Sequence, residues 1–147
     1  MFNLPELASR AVSFAPANPA AITSVTPVML GLGTTCLFTP ISSGKTMVAV
    51  SGFASTATAA VAVTLNGRFG TGSAPANAAA ASGTVFGPVG NIALTGSAVN
   101  LPLAFSFNAV VTLTAASTYW FDLTCGTANG SDAASVVNVT MSFYEIA

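Results

Sequence analysis

Histidine is absent from this chain of 147 residues, and ionised side chains are nearly so. Without imidazole there is no Ser-His or Cys-His nucleophile pair, no ordinary zinc site and no group whose unperturbed pKa lies near neutrality. Lys45, Arg10 and Arg68 are the cations, and Glu6, Asp122, Asp132 and Glu145 the anions, for a formal net charge of −1. Charged residues make up 5% of the chain, against roughly 25% in an average soluble domain. Three cations cannot neutralise enough phosphates to hold nucleic acid. Spread over the folded surface, each charge serves about 1,000 Å². A surface so sparsely charged is expected to be covered by sister copies or a partner.

Long uninterrupted apolar runs are missing too, although 52% of the residues are hydrophobic. Met47 to Leu65 has the length of a membrane span, but Ser51, Gly52, Ser55, Thr56, Thr58 and Thr64 interrupt it. Regular ten-residue strands with aromatic girdles, the mark of a membrane barrel, are not seen either. At the N-terminus, Glu6 precedes Arg10, and Pro16 and Pro19 break the apolar run, so no secretory signal is expected. Cys36 and Cys125 stand too far apart for a metal or redox motif and read as buried thiols rather than a disulfide.

What is present is alternation. From Gly44 to Gly72, Thr46, Val48 and Val50 oppose Met47, Ala49 and Ser51, and Val61, Val63 and Leu65 oppose Ala62, Thr64 and Asn66. This period of two predicts two antiparallel strands around a small-residue turn. Further strands are predicted at Thr34–Thr39, Thr84–Phe86, Asn91–Leu94, Leu101–Phe107, Val110–Thr114 after a bulge at Asn108, Tyr119–Thr124 and Val136–Ile146. In the last, Val137, Val139, Met141 and Phe143 are expected on one face. Residues 70–83, rich in glycine and alanine, read as a long surface loop. Four prolines make residues 1–27 an extended arm, with a short helical turn around Pro5 to Val12 and Phe2, Leu4, Leu7 and Phe14 set to dock on a neighbour. The fold class that follows is all-β: a jelly-roll-like β-sandwich over residues 28–147 with an extended N-terminal arm.

Little in the chain promises catalysis, and no catalytic, cofactor or metal site is expected. Ser42-Ser43-Gly44-Lys45-Thr46 resembles the end of a phosphate-binding loop, but Thr39 stands where that motif needs glycine and a strand follows instead of a helix. Asp122 and Glu145 could form a glycosidase pair only if adjacent strands brought them face to face; meeting solvent, or pairing with Arg68, is the plainer role. Tyr119, Trp120, Phe121 and Tyr144 concentrate aromatic surface with polar handles, which suits either stacking on a sugar or partner, or core packing. Asn129-Gly130-Ser131 and Asn138-Val139-Thr140 match the glycosylation pattern by chance in a Thr-rich chain.

The runs TPVMLGLGTTCLFTPISSGKTMVAVSG and GRFGTGSAPANAAAASGTVFG, with the closing TYWFDL and VVNVTMSFYEI, resemble a family of small structural proteins encoded by tailed bacteriophages. The likeness covers about residues 26–147, and Ala78 stands where the family's loop carries glycine. The resemblance implies a non-enzymatic virion component made in the host bacterial cytoplasm. It points to a capsid decoration (cement) protein on the capsid surface, bridging the major capsid protein and sister copies as a homotrimer. A tail, baseplate or fibre component and a carbohydrate-binding module are the alternatives. The partner-binding residues expected are Phe2, Leu4, Leu7, Phe14, Tyr119, Trp120 and Tyr144, with no nucleic acid, membrane or cofactor involved.

Overall fold

The computed structural model describes residues 10–42, 44–88 and 91–146. Ten strands dominate it: β1 (Ala11–Phe14), β2 (Val28–Met29), β3 (Leu37–Phe38), β4 (Lys45–Thr56), β5 (Ala62–Gly70), β6 (Thr84–Phe86), β7 (Ile92–Thr95), β8 (Leu103–Thr112), β9 (Tyr119–Thr127) and β10 (Ala134–Glu145). A single 3-10 turn, Leu32–Thr34, is the helical element among the described residues. One sheet has four strands in the order β1-β10-β4-β8. The other has six, β2-β9-β5-β6, with β3 also on β9 and β7 also on β5. All pairings are antiparallel. Each sheet interleaves strands from both ends of the chain, which is the winding of a jelly roll.

Alternation builds the core. On β4, Val48, Val50 and Ala54 point inward and are buried; on β5, Val63 and Leu65 do the same. Between the sheets runs a chain of phenylalanine rings. Phe121 stacks on Phe69 at 5.5 Å and meets Phe143 edge-on at 4.7 Å, and Phe143 stacks on Phe38 at 5.1 Å. Phe86 joins Phe121 to Phe107 at 5.5 and 5.8 Å. Each such ring pair adds roughly 0.5–1.5 kcal/mol to the transfer of its area from water.

Several expectations are revised. The two alternating runs are strands, but they do not pair with each other: β4 lies between β10 and β8, and β5 between β9 and the β6/β7 pair. The small-residue turn carries the chain from one sheet to the other. Period-two alternation decides which face is buried and leaves the neighbour open, because every strand of a sandwich carries the same pattern. The expected bulge at Asn108 is absent, and β8 holds one register on β4 along its whole length. The irregularity is in β10 between Val137 and Thr140. There Asn138 adopts φ 52° and its N–H donates to Asn18 Oδ1 at 2.8 Å. The shift turns Val137 outward and buries Val136 with Val139, Met141 and Phe143. The strand expected at Thr34–Thr39 shrinks to β3 after the 3-10 turn.

The stretch expected as a separate arm is part of the sandwich where it is described. β1 pairs with β10, Phe14 meets Phe143 edge-on at 5.9 Å, and Ile22 bridges Ala134. A four-residue apolar segment buries more by completing a sheet edge over the core than by leaving it. Phe2, Leu4, Leu7 and the start of the helical turn expected around Pro5 to Val12 lie outside the described residues, whereas Ala11 and Val12 at its end are strand, in β1.

Candidate functional site

The sequence places two carboxylates where chemistry was conceivable, and the fold separates them. Asp122 lies on β9 in the six-stranded sheet and Glu145 ends β10 in the four-stranded sheet. Each is engaged by a different loop. Asp122 is buried beneath the 3-10 turn and accepts N–H bonds from Gly31 at 3.0 Å, Leu32 at 3.1 Å and Leu123 at 2.7 Å. Burial pushes its pKa up from 3.8 to about 6, against the opposite pull of those donors. Arg68, its cross-strand neighbour, donates to Gly83 O at 3.3 Å.

Glu145 fills the loop that resembled a phosphate cradle. Ile41 N–H donates to its Oε2 at 2.9 Å, Ser42 N–H to its Oε1 at 2.5 Å and Ser42 Oγ to its Oε1 at 3.2 Å. Burial raises the carboxyl pKa, but the N–H bonds from Ile41, Ser42 and Gly44 prevail and hold it below the ordinary range. The donors that would cradle a phosphate thus serve the chain's own carboxylate, and β4 rather than a helix follows. Gly44, at φ +70°, has no alternative, since a Cβ there would stand 2.0 Å from Leu113 O.

The expected aromatic cluster does not converge. Trp120, 4% exposed, lies under the loop of residues 71–83 and its indole N–H donates to Thr71 O at 3.2 Å. Gly70 and Gly83 are glycine because a Cβ at either would press within about 2.6 Å of the indole. Tyr119 is half-buried by Phe69 and its hydroxyl accepts the Thr114 N–H at 3.0 Å. Phe14 is half-buried on the core. Only Tyr144, 44% exposed, presents its ring to the outside, and it does so from the other sheet. Trp120 therefore packs and is no contact for a partner, because its loop offers both apolar cover and a hydrogen-bond acceptor. Cys36 and Cys125 are free and buried, and burial pushes both thiols up to about 12.

Tyr144 leads to the feature that residue-by-residue reasoning missed, the outer face of the four-stranded sheet. Register sets its side chains in rows across the strands. Ala11, Tyr144, Met47 and Val110 form one row; Ser13, Ser142, Ala49 and Asn108 the next. Thr140, Ser51 and Ser106 follow, then Val137, Phe53 and Ala104. Hydroxyls and an amide thus occupy the middle, with apolar groups at both ends. Phe53 is 41% and Val110 60% exposed. Two shallow hollows of about 290 and 330 Å³ lie over Ser51 and Ser106. Beyond the first row, at the end of β4, Lys45 opposite Thr112 is the ionised side chain that this face carries among the described residues. The face is suited to lie against another neutral surface, exchanging hydroxyl hydrogen bonds and covering methyl groups.

Among the described residues, no group of three or more His, Cys, Asp or Glu side chains could hold a metal ion. Among the same residues, no helix is long and apolar enough to cross a membrane.

No known family model matches this chain, and no curated protein sequence matches it. Among solved structures it is similar to a chain in the structure of infectious bursal disease virus Gx strain, with a TM-score of 0.56 and 8% identity. That likeness covers 99% of this chain and 35% of the viral one. The chain spans about a third of its structural neighbour's length, and at that identity the likeness is one of fold: a β-sandwich of two antiparallel sheets.

Proposed function

We propose that this chain is a structural component of a tailed-bacteriophage virion, a capsid decoration protein that seats on the shell and bridges capsid subunits without turning over a substrate. The observation that carries this reading is the sheet-wide, almost uncharged outer face of β1-β10-β4-β8. A rigid sandwich supports it from behind through Val48, Val50, Met141 and Phe143, all buried. Apolar residues at both ends supply burial at roughly 25 cal/mol per Å², and the hydroxyl rows between them keep hydrogen bonding available after water leaves. The resemblance of its sequence runs to structural proteins of tailed bacteriophages and the jelly-roll winding support the same reading. Phe14 packs into the sandwich through β1, so in this reading the sheet face takes the docking role expected of it.

Add-back to purified virions of the encoding phage, prepared without this chain, tests it. The wild-type protein should cosediment with the particles and appear on the head in cryo-electron microscopy. The double substitution Ala49→Glu with Ser106→Glu plants two charges in the middle of the face and should lower occupancy at least tenfold. Density in the tail, or full head decoration by the doubly charged variant, would refute the placement or the face respectively.

A further inference from the structure

Sheet edges carry unpaired backbone donors and acceptors, and folded chains normally guard them. Three of the four edges here are guarded. β1 is only four residues long. The β2/β3 edge is split into two-residue pieces, and the Met29 backbone bonds Ala78 and Ala79 in the loop at 2.8 Å. The β6/β7 edge is likewise broken into short strands of three and four residues.

The fourth edge is different. Among the described residues, β8 runs ten residues from Leu103 to Thr112, ends its sheet and keeps one register on β4 throughout. It contains no proline and no ionised side chain, and none lies anywhere between Arg68 and Asp122. Leu113 N–H donates to Gly44 O at 2.8 Å, which fixes the phase of the ladder. Odd-numbered residues of β8 turn their backbone groups to β4. Ala104, Ser106, Asn108, Val110 and Thr112 turn theirs to the open edge, and all five are exposed. The flank beneath is apolar: Leu103, Phe107 and Ala109 point inward yet are only half-buried.

We propose that this edge joins a second copy of the chain, β8 to β8, antiparallel about a two-fold axis through Asn108, so that two four-stranded sheets become one. The neutrality of the strand argues for a second copy. In a two-fold contact the residue on the axis meets its own copy, so a charge at Asn108 would face its own sign, and the strand carries none there or on either side. In the register centred on Asn108, Ala104 faces Thr112, Ser106 faces Val110 and Asn108 faces its symmetry mate. A carboxamide is both donor and acceptor, so Asn108 can bond its own copy. All five edge-facing residues then find partners, giving about ten backbone hydrogen bonds, two for each pair. The joined sheet extends the neutral outer face across both copies and covers the half-exposed flank.

Sedimentation of the full chain across a range of concentrations, with three variants, tests the proposal. The wild type should form dimers. Asn108→Lys, on an exposed side chain, sets two ammonium groups opposite each other and should weaken dimerisation at least about fivefold. Asn108→Cys should cross-link to dimer on oxidation, because facing Cα atoms lie about 5.5 Å apart, within disulfide reach. Ser106→Cys should not, since its mate sits about 13 Å along the strand. The native Cys36 and Cys125 stay out of the reaction because both are buried. A wild type that remains monomeric, a trimer or other assembly indifferent to Asn108→Lys, or equal cross-linking at both cysteine positions would each overturn it. If Asn108→Lys fails to fold, the two cysteine variants decide.

Discussion

Asp122 gives the fold a pH dependence of unusual sign. Its carboxyl is buried under the 3-10 turn and pushed up from 3.8 to about 6, with burial as the leading cause and the backbone N–H bonds opposing. Between pH 4 and 6 the native chain therefore holds this proton while the unfolded chain has released it. Stability falls as pH rises wherever the native state binds more protons, so the wild type should lose stability across this window. A shift of about two units at 1.36 kcal/mol each is worth a little under 3 kcal/mol over the whole titration, of which about 2 kcal/mol is lost between pH 4 and 7. Glu145 acts oppositely and lower down: its depressed pKa gives stability that is present above the ordinary carboxyl range and lost as pH falls through the folded value. Comparing the wild type with Asp122→Asn cancels Glu145. The variant keeps an oxygen for the Leu32 and Leu123 N–H groups but sets an amide N–H₂ against Gly31 N–H, so its overall stability should drop. The slope is the decisive quantity. Urea unfolding at half-unit steps of pH should show the stability difference between the two narrowing by about 2 kcal/mol from pH 4 to 7. A difference that stays constant across that window would refute the assignment of a buried, proton-holding Asp122.

Two other substitutions probe the core and the loop. Phe121→Ala removes a fully buried ring that touches Phe69, Phe86 and Phe143, and should cost about 3–5 kcal/mol in urea unfolding. A cost under about 1 kcal/mol would mean the ring chain is not the centre of the core. Ala78→Gly relieves a residue held at φ 64°, and thermal unfolding should show a gain of about 0.5–1 kcal/mol after the added chain entropy of glycine is subtracted. A destabilised variant would show that the Ala78 methyl contributes more by packing than its backbone conformation costs.

Ala78 also shows how far local sequence reaches. The resemblance noted in the sequence leads one to expect glycine there, and the backbone of this chain keeps the left-handed conformation that glycine favours. The strands of β4, β5 and β6 and the inward faces of β4 and β5 were legible for a similar reason: alternation is a property of neighbours in sequence, and burying one face of a strand follows from it directly. Neither the pairing of β4 with β8 and β10 nor the place of the bulge was legible, because Asn108 and Asn138 look alike until Asn18 arrives from 120 residues away to bond one of them. The candidate face was legible only as composition, an abundance of Ser, Thr and Ala with few charges. Its rows exist because three long strands from separate parts of the chain adopt one register.

The sequence by itself determined that this chain is a charge-poor, histidine-free β protein with a single alternating core. Those are sums and short-range periods, and no partner is needed to read them. Tertiary structure alone decided that Trp120 is roofed by a glycine-bounded loop, that Asp122 is sealed from water, that Glu145 occupies its own loop, and that β8 is left at an open edge. Each of these is a contact between residues distant along the chain, and its energy comes from excluding water at a place that exists only once both sides have met.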